Sequence, residues 1–314
     1  MDNHSSTIGI IFSYNRAMQL EALLRSFLTH CKDYTDIQLT IIYKTTGDLH
    51  EHQYQRIVES YHDQVLISFH RQRNFRSDVI RLLAVLKPGQ YRNILFSLAV
   101  QAGPRLHKAF RLVDLVDLSG FVLFLVDDAL FIRDFNLQES LQMLNKHLDA
   151  LGFSLRLGKN TTYCYAKDRF QTMPQFAQIN PGVLKFRWAS AEADFAYPLE
   201  ISSSIYRIRD ILPLLFKINF NNPNILEGRM AARAKEYASK LPSLLCYEQS
   251  AAFCNPVNKV QNVFNNRSGL NSEYSNDRLA QLFESGFRIN INAYEGFIPN
   301  SVHQETELLF QHQA

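Results

Sequence analysis

The chain has 314 residues, 46% hydrophobic and 20% charged, with a formal net charge of +3. That balance excludes a disordered or low-complexity chain and suits one large globular domain or two small ones. The small charge permits contact with anionic lipid or phosphate-bearing substrates without requiring it, and no nucleic-acid partner is expected. The four cysteines, Cys31, Cys164, Cys246 and Cys254, lack CxxC spacing and read as reduced thiols. No apolar run reaches membrane-spanning length, and the opening MDNHSSTIGIIF lacks the pattern of a signal peptide. The expected location is therefore cytoplasmic, with at most peripheral association at the inner membrane face.

In chain order, residues 8–12 form a short apolar strand that stops at Ser13-Tyr14-Asn15-Arg16. From Met18, apolar residues recur at helical spacing. IQLTIIY (37–43) is a second strand, followed by a helix over 53–61 and a third strand over 65–69. A basic segment carrying Arg71, Arg73 and Arg76 comes next. A helix is expected over 78–86, closed by Lys87-Pro88-Gly89. Strands alternating with helices in this way predict a parallel sheet covered on both faces.

The fourth strand, FVLFLV (121–126), is continuously apolar, as a strand buried on both faces must be. It runs straight into Asp127 and Asp128. Adjacent carboxylates at the carboxyl end of a buried strand are costly unless something positive sits against them. That partner is either a divalent cation or an arginine.

The second half reads differently. A helix over 137–148 and a strand over 153–157 precede a polar, aromatic stretch over 159–193, long enough to carry elements or function of its own. A strand over 201–206, a helix over 209–216 containing Pro213, and a helix from Asn222-Pro223-Asn224 through 225–241 follow. A short helix over 279–286, a strand over 289–291 and a polar tail with His303 complete the chain.

Taken together, FSYNRAMQLEALL (12–24), the central strand ending in Val126-Asp127-Asp128, and the mixed second half resemble a GT-A glycosyltransferase of the bacterial family-2 type. The resemblance covers most of the chain. It implies an α/β fold: a Rossmann-like, mostly parallel central sheet flanked by helices, with a mixed α+β acceptor half. Residues 1–135 would form the nucleotide-sugar half of a single domain, and 136–314 the acceptor half with a C-terminal lid. It also implies transfer of a sugar from a nucleotide-sugar donor to a hydroxyl, on a glycan or lipid-linked glycan acceptor.

The chemistry such a transfer needs is plain. Departure of a diphosphate builds negative charge, which Mn²⁺ or Mg²⁺ neutralises through hard oxygen ligands. The resemblance puts Asp128 and His303 on that metal and Asp127 on the ribose or a metal-bound water. Ser13, Tyr14, Asn15, Arg16, Lys44, Arg76 and Asp78 become candidates for the nucleotide. The sequence carries DD rather than D-x-D, and Tyr43-Lys44 stands where similar proteins often carry an acidic residue. Trp188 and Tyr197 are candidates for stacking against the acceptor, because aromatic faces suit sugars. Inverting transfer also needs a base, and Glu227, just inside a helix start, is the first candidate, with Asp194 second. The competing explanations are ordinary. Ser and Asn cap helices, Asp favours a helix N-terminus, and scattered aromatics fill cores.

Overall fold

The computed structural model describes residues 7–86, 112–259 and 272–312, together with 96, 100, 101, 103 and 104. The expected end of the third helix at Lys87-Pro88-Gly89 lies outside them, as do residues 260–271.

The first half alternates as expected: β1 (Thr7–Tyr14), α1 (Ala17–His30), β2 (Ile37–Lys44), α2 (Asp48–Ser60), β3 (Ile67–Arg71), α3 (Phe75–Leu83) and β4 (Phe121–Val126). The second half contains β5 (Ala129–Phe131), α4 (Leu137–Lys146), β6 (Ala150–Ser154), β7 (Tyr163–Cys164), β8 (Arg169–Phe170), β9 (Ala177–Asn180) and β10 (Val183–Arg187). After these come β11 (Ser203–Arg207), α5 (Ile208–Lys217), α6 (Pro223–Ala231), β12 (Ser243–Tyr247) and β13 (Ala252–Cys254). α7 (Asn276–Glu284), β14 (Phe287–Ile289) and β15 (Phe310–His312) close the described chain. The helix expected over 225–241 ends at Ala231, and only a single 3₁₀ turn, Ala234–Glu236, follows. The aromatic stretch 159–193 holds two hairpins rather than a structureless loop.

Nine strands form one sheet in the order β3-β2-β1-β4-β11-β6-β12-β10-β9. β3, β2, β1 and β4 are mutually parallel. β11 is antiparallel to both β4 and β6, and β12 is parallel to β6. β4, β6 and β12 therefore all end on the same edge, and β11 begins there. The expected fold class is what is found, with one sheet passing unbroken through both halves of the sequence.

Alternation along the central strands sorts their side chains between two apolar layers. Phe121, Leu123 and Leu125 face one layer with α1, α2, α4 and α7, whereas Val122 and Phe124 face the other with α3, α5 and α6. A strand covered this way must send its polar groups out at its ends, which is where the chain places its charges. One glycine is required by close approach. A Cβ on Gly152 of β6 would lie 2.8 Å from the Tyr206 ring and 3.0 Å from the Ile205 carbonyl. Tyr206 uses that space to reach the carbonyls of Pro198 and Glu200, fixing the loop that enters β11.

Candidate active site at the carboxyl edge of the sheet

Two groups of charged residues occupy this edge. The first is built from Ser13–Arg16 and the acidic pair. Arg16 Nη1 donates to Asp127 Oδ1 and to Asp128 Oδ2, both at 3.0 Å, while Nη2 donates to the Asn258 carbonyl. Asp127 Oδ2 accepts from Ser13 Oγ at 3.0 Å and the Tyr14 N–H at 3.1 Å. Tyr54 of α2 bonds Ser13 Oγ and accepts from the Arg16 N–H. Asn15, at φ +53°, exchanges two side-chain hydrogen bonds with Thr46. Burial works against the charge of Arg16, yet the two carboxylates hold its pKa above the ordinary value. For Asp127, burial pushes the carboxyl up and Arg16 opposes it.

The stretch expected to cradle a nucleotide is thus largely committed to tying β1, β2, α2 and β4 together. Of its members, the half-buried Tyr14 ring and the exposed Lys44, whose ammonium lies 5.9 Å from that ring, remain at the rim. Both oxygens of Asp127 are taken by protein groups. The cation against the acidic pair is an arginine.

The second group was not visible as a unit in the sequence. Arg156 lies two residues beyond β6 and so emerges on the same edge. Its side chain is buried, its Nη2 sits 3.4 Å from Glu200 Oε2, and its Nε and Nη1 make no hydrogen bond among the described residues. Glu200, also buried, accepts from the N–H groups of Ser202 and Ser203 and from Ser204 Oγ. Burial opposes the charge of Arg156, but Glu200 first, then Glu227 and Asp194 among others, hold its pKa above the ordinary value.

Glu227 projects from α6 into this group. Asn222 caps that helix by accepting from the Ile225 N–H at 2.9 Å, so Glu227, a full turn in, is not needed for capping. Burial raises its pKa to about 7. Arg156 and a hydrogen bond from the Ile201 backbone pull it down, and Glu200 and Asp128 push it up. Tyr197, on the loop before Glu200, has its pKa raised by burial and then by Glu227.

His303 arrives by a strand-like register. Cys254 N–H donates to the Val302 carbonyl at 2.9 Å, Gln304 N–H donates to the Cys254 carbonyl at 3.0 Å, and Asn255 N–H donates to the Asp128 carbonyl at 2.8 Å. Because β13 pairs with β5, immediately after Asp128, the tail returns His303 to the acidic pair. Burial, then Arg156, push its pKa down to about 4, with Asp128 opposing. A neutral imidazole is the form that binds metal. Among the described residues, no three His, Cys, Asp or Glu side chains converge on one point. A cation here would have Asp128 and His303 as its protein ligands, with phosphate oxygens and water completing the shell. Asp128, which gives Oδ2 to Arg16, and His303 are the candidates for that role; Asp127, with both oxygens bonded within the chain, is not.

Four expectations need correction. Arg76 is buried and donates to the carbonyls of Val100, Phe216 and Ile218 at 2.6–3.1 Å, so it is a structural clamp and not a phosphate ligand. Asp78 accepts from the N–H groups of Arg73 and Asn74, both at 2.9 Å, and closes the start of α3. Trp188 is core, with its indole N–H on the Leu241 carbonyl at 2.7 Å, so it offers no stacking face. Asp194 receives Cys164 Sγ on one oxygen and Gln171 Nε2 on the other, which anchors the β7–β8 hairpin. That leaves it poorly free to take a proton.

No family model matches the chain. It is 27% identical over 312 residues to the bifunctional glycosyltransferase pgtA of Dictyostelium discoideum, a match taking in 91% of this chain and 36% of that protein. The likeness is to a glycosyltransferase. The chain spans about a third of that curated relative. Among solved structures, S. aureus TarS overlaps 81% of this chain and 37% of its own, at 15% identity and a TM-score of 0.44. The mannosyltransferase PcManGT of Pyrobaculum calidifontis, solved with GDP-Man and Mn²⁺, overlaps 76% of this chain and 54% of its own, at 12% identity and a TM-score of 0.37. The resemblance drawn from the SYNR stretch and the acidic pair agrees with the curated relative's name.

Arg156 and Glu200 are the residues sequence reasoning missed. FSLRL reads as an alternating strand with one polar residue facing out, and PLEISSS reads as a loop. A charged residue two positions past a buried strand, on the edge that carries the acidic pair, was the available signal.

Proposed function

We propose that the chain transfers a sugar from a nucleotide-sugar donor to a hydroxyl of a glycan acceptor, with inversion at the transferred carbon. The observation that carries this is the convergence of Glu227, Arg156, His303 and Asp128 on the edge where β4 and β6 end and β11 begins. Open α/β sheets bind ligands at that edge. The similarity to a curated glycosyltransferase supports the same reading.

The residues divide the work as follows. Tyr14 and Lys44 form the rim on which the nucleoside is received. Asp128 and His303 hold Mn²⁺ or Mg²⁺, which when bound neutralises charge on the departing diphosphate. Arg156, with two guanidinium nitrogens unpartnered among the described residues in a buried setting, donates to oxygens of the donor. Glu227 takes the proton of the attacking hydroxyl. A carboxyl with a pKa near 7 suits this: it is substantially ionised at neutral pH and basic enough to accept a proton in the transition state. Tyr197 borders the acceptor side of Glu227. Arg16 stays bound to the acidic pair and holds Asp128 in position.

The test is direct. UDP- and GDP-sugars are screened by thermal shift with Mn²⁺ or with EDTA, and those that bind are incubated with simple glycosides to detect product. Donor at a hundred times its dissociation constant stabilises the fold by about 2.7 kcal/mol. Transfer to a glycoside, with donor binding weakened by EDTA and insensitive to EDTA in Asp128→Ala, supports the reading. Absence of both binding and transfer across the panel refutes it.

A further inference from the structure

The aromatic stretch that was expected to present Trp188 to an acceptor presents other rings instead. β7 and β8 form a short hairpin turned at Asp168, which adopts φ +51°. Tyr163 and Phe170 sit opposite each other on it, their rings edge to face with centroids 5.7 Å apart. Phe170 is 76% exposed, unusual for a phenylalanine on a rigid element.

The hairpin is rigid by construction. Gln171 Nε2 donates to the Thr161 carbonyl at 3.0 Å and to Asp194, and Asp194 N–H donates back to Gln171 Oε1 at 3.0 Å. Tyr163 N–H donates to the Asn300 carbonyl at 2.9 Å, and Tyr165 N–H donates to Ser301 Oγ at 3.3 Å. These two bonds fasten the hairpin to the returning tail. Between hairpin and tail lies a cavity of about 490 Å³, walled by Tyr163, Tyr165 and Phe170 on one side and by Asn300, His303 and Gln304 on the other. Tyr165 hydroxyl donates to Glu305 at its rim, and the Tyr165 ring lies 6.4 Å from the His303 ring.

The chemistry of the walls selects a ligand. The volume is that of an ordinary small-molecule site. Among the described residues no Lys or Arg lines it and the Glu305 carboxylate does, so a phosphate or carboxylate would enter without a partner. The apolar surface is aromatic faces rather than aliphatic pockets, and it is bordered by amide and hydroxyl groups able to both donate and accept. A pyranose ring matches this: one face of C–H groups for an aromatic ring, and equatorial hydroxyls pointing at amides around the edge. His303 lies in the cavity wall and on the proposed metal, so a sugar here borders the reaction centre.

We propose that this cavity is a subsite for a neutral pyranose unit of the acceptor, with Phe170 and Tyr163 as its stacking platform and Asn300 and Gln304 as hydroxyl partners. The acceptor is then a saccharide rather than a peptide or a bare lipid. This rests on the function proposed above for the reaction centre, but its test need not. Saturation-transfer NMR on the full chain, with a panel of neutral methyl hexopyranosides as probes, reads occupancy without turnover. Wild type should transfer saturation to ring C–H protons of at least one probe. Phe170→Ala should reduce the effect at least about fivefold, in line with the loss of one stacking ring, and Phe170→Trp should retain it. Phe170 is exposed, so loss of folding does not confuse the result, and a thermal melt of each variant confirms this. No saturation transfer to any probe, or an equal effect in Phe170→Ala, overturns the subsite. Transfer activity with an acceptor KM unchanged in Phe170→Ala overturns the subsite while sparing the proposed reaction. Probe binding that depends on Phe170 in a chain with no nucleotide binding supports the subsite and sinks the reaction.

Discussion

The two arginines at the carboxyl edge, Arg16 and Arg156, are both buried beside carboxylates and are used in opposite ways. Arg16 meets two carboxylates and a backbone carbonyl, and one of those carboxylates is further bonded by Ser13 and the Tyr14 N–H. Among the described residues, Arg156 reaches one carboxylate at 3.4 Å and leaves both Nε and Nη1 without partners, whereas Arg16 leaves Nε alone. A buried polar group without a partner costs about 1–3 kcal/mol, so one that persists marks a place where the fold tolerates a cost for a purpose. The contrast separates a knot that holds the fold from a group that waits for a ligand.

The largest effect that would break this contrast is on stability. Arg16→Met leaves two buried carboxylates facing each other and should lower unfolding free energy by about 3–5 kcal/mol. Arg156→Met leaves Glu200 still bonded to Ser202, Ser203 and Ser204, and should cost about 1–3 kcal/mol while abolishing measurable transfer. Urea titrations of the two variants compare them. Equal destabilisation, or transfer that survives in Arg156→Met, would erase the distinction.

The next effect is on pH dependence. Glu227 must be ionised to accept a proton, so kcat/KM should rise about tenfold per pH unit below pH 7 and level off above it. Besides burial, the groups that set this midpoint lie on three segments: Arg156 after β6, Asp128 after β4, and the Glu200–Ile201 stretch before β11. Arg156 lowers the pKa of Glu227. Any residual activity of an Arg156→Gln variant should therefore show its midpoint moved to higher pH. A midpoint that stays in place, or moves to lower pH, would contradict this coupling of Glu227 to Arg156.

The smallest effect belongs to a residue assigned to the knot side of the comparison. Asp78→Asn keeps one acceptor for the N–H groups at the start of α3 and should cost about 1 kcal/mol or less. Nucleotide affinity should not change. A loss of nucleotide affinity beyond a few-fold would return Asp78 to the site.

How much of this was legible depends on the distance over which partners are chosen. The buried run FVLFLV and its position among alternating strands were enough to place Asp127 and Asp128 at the carboxyl edge, because strand burial is a local pattern. Asn222-Pro223-Asn224 marked the start of α6 for the same reason, and with it the position of Glu227. The partner of the acidic pair was an open choice between a metal and an arginine. Arg16, on a different strand end, settled it only once β1 and β4 were paired. Arg76, Asp78 and Trp188 were misjudged because residue type was legible and burial was not. An arginine that turns inward onto three carbonyls looks in sequence like one that faces phosphate. Arg156 and Glu200 were missed because neither is remarkable alone, and only antiparallel β11 between β4 and β6 brings them together.

The central claim, that Glu227 is the base of a sugar transfer on this edge, is tested most directly by Glu227→Gln. The substitution keeps shape and removes basicity. Turnover with a binding donor and a glycoside acceptor should fall by about 10²- to 10⁴-fold while donor affinity stays near wild type. Turnover within a few-fold of wild type, or a product that retains the donor's anomeric configuration, would contradict it.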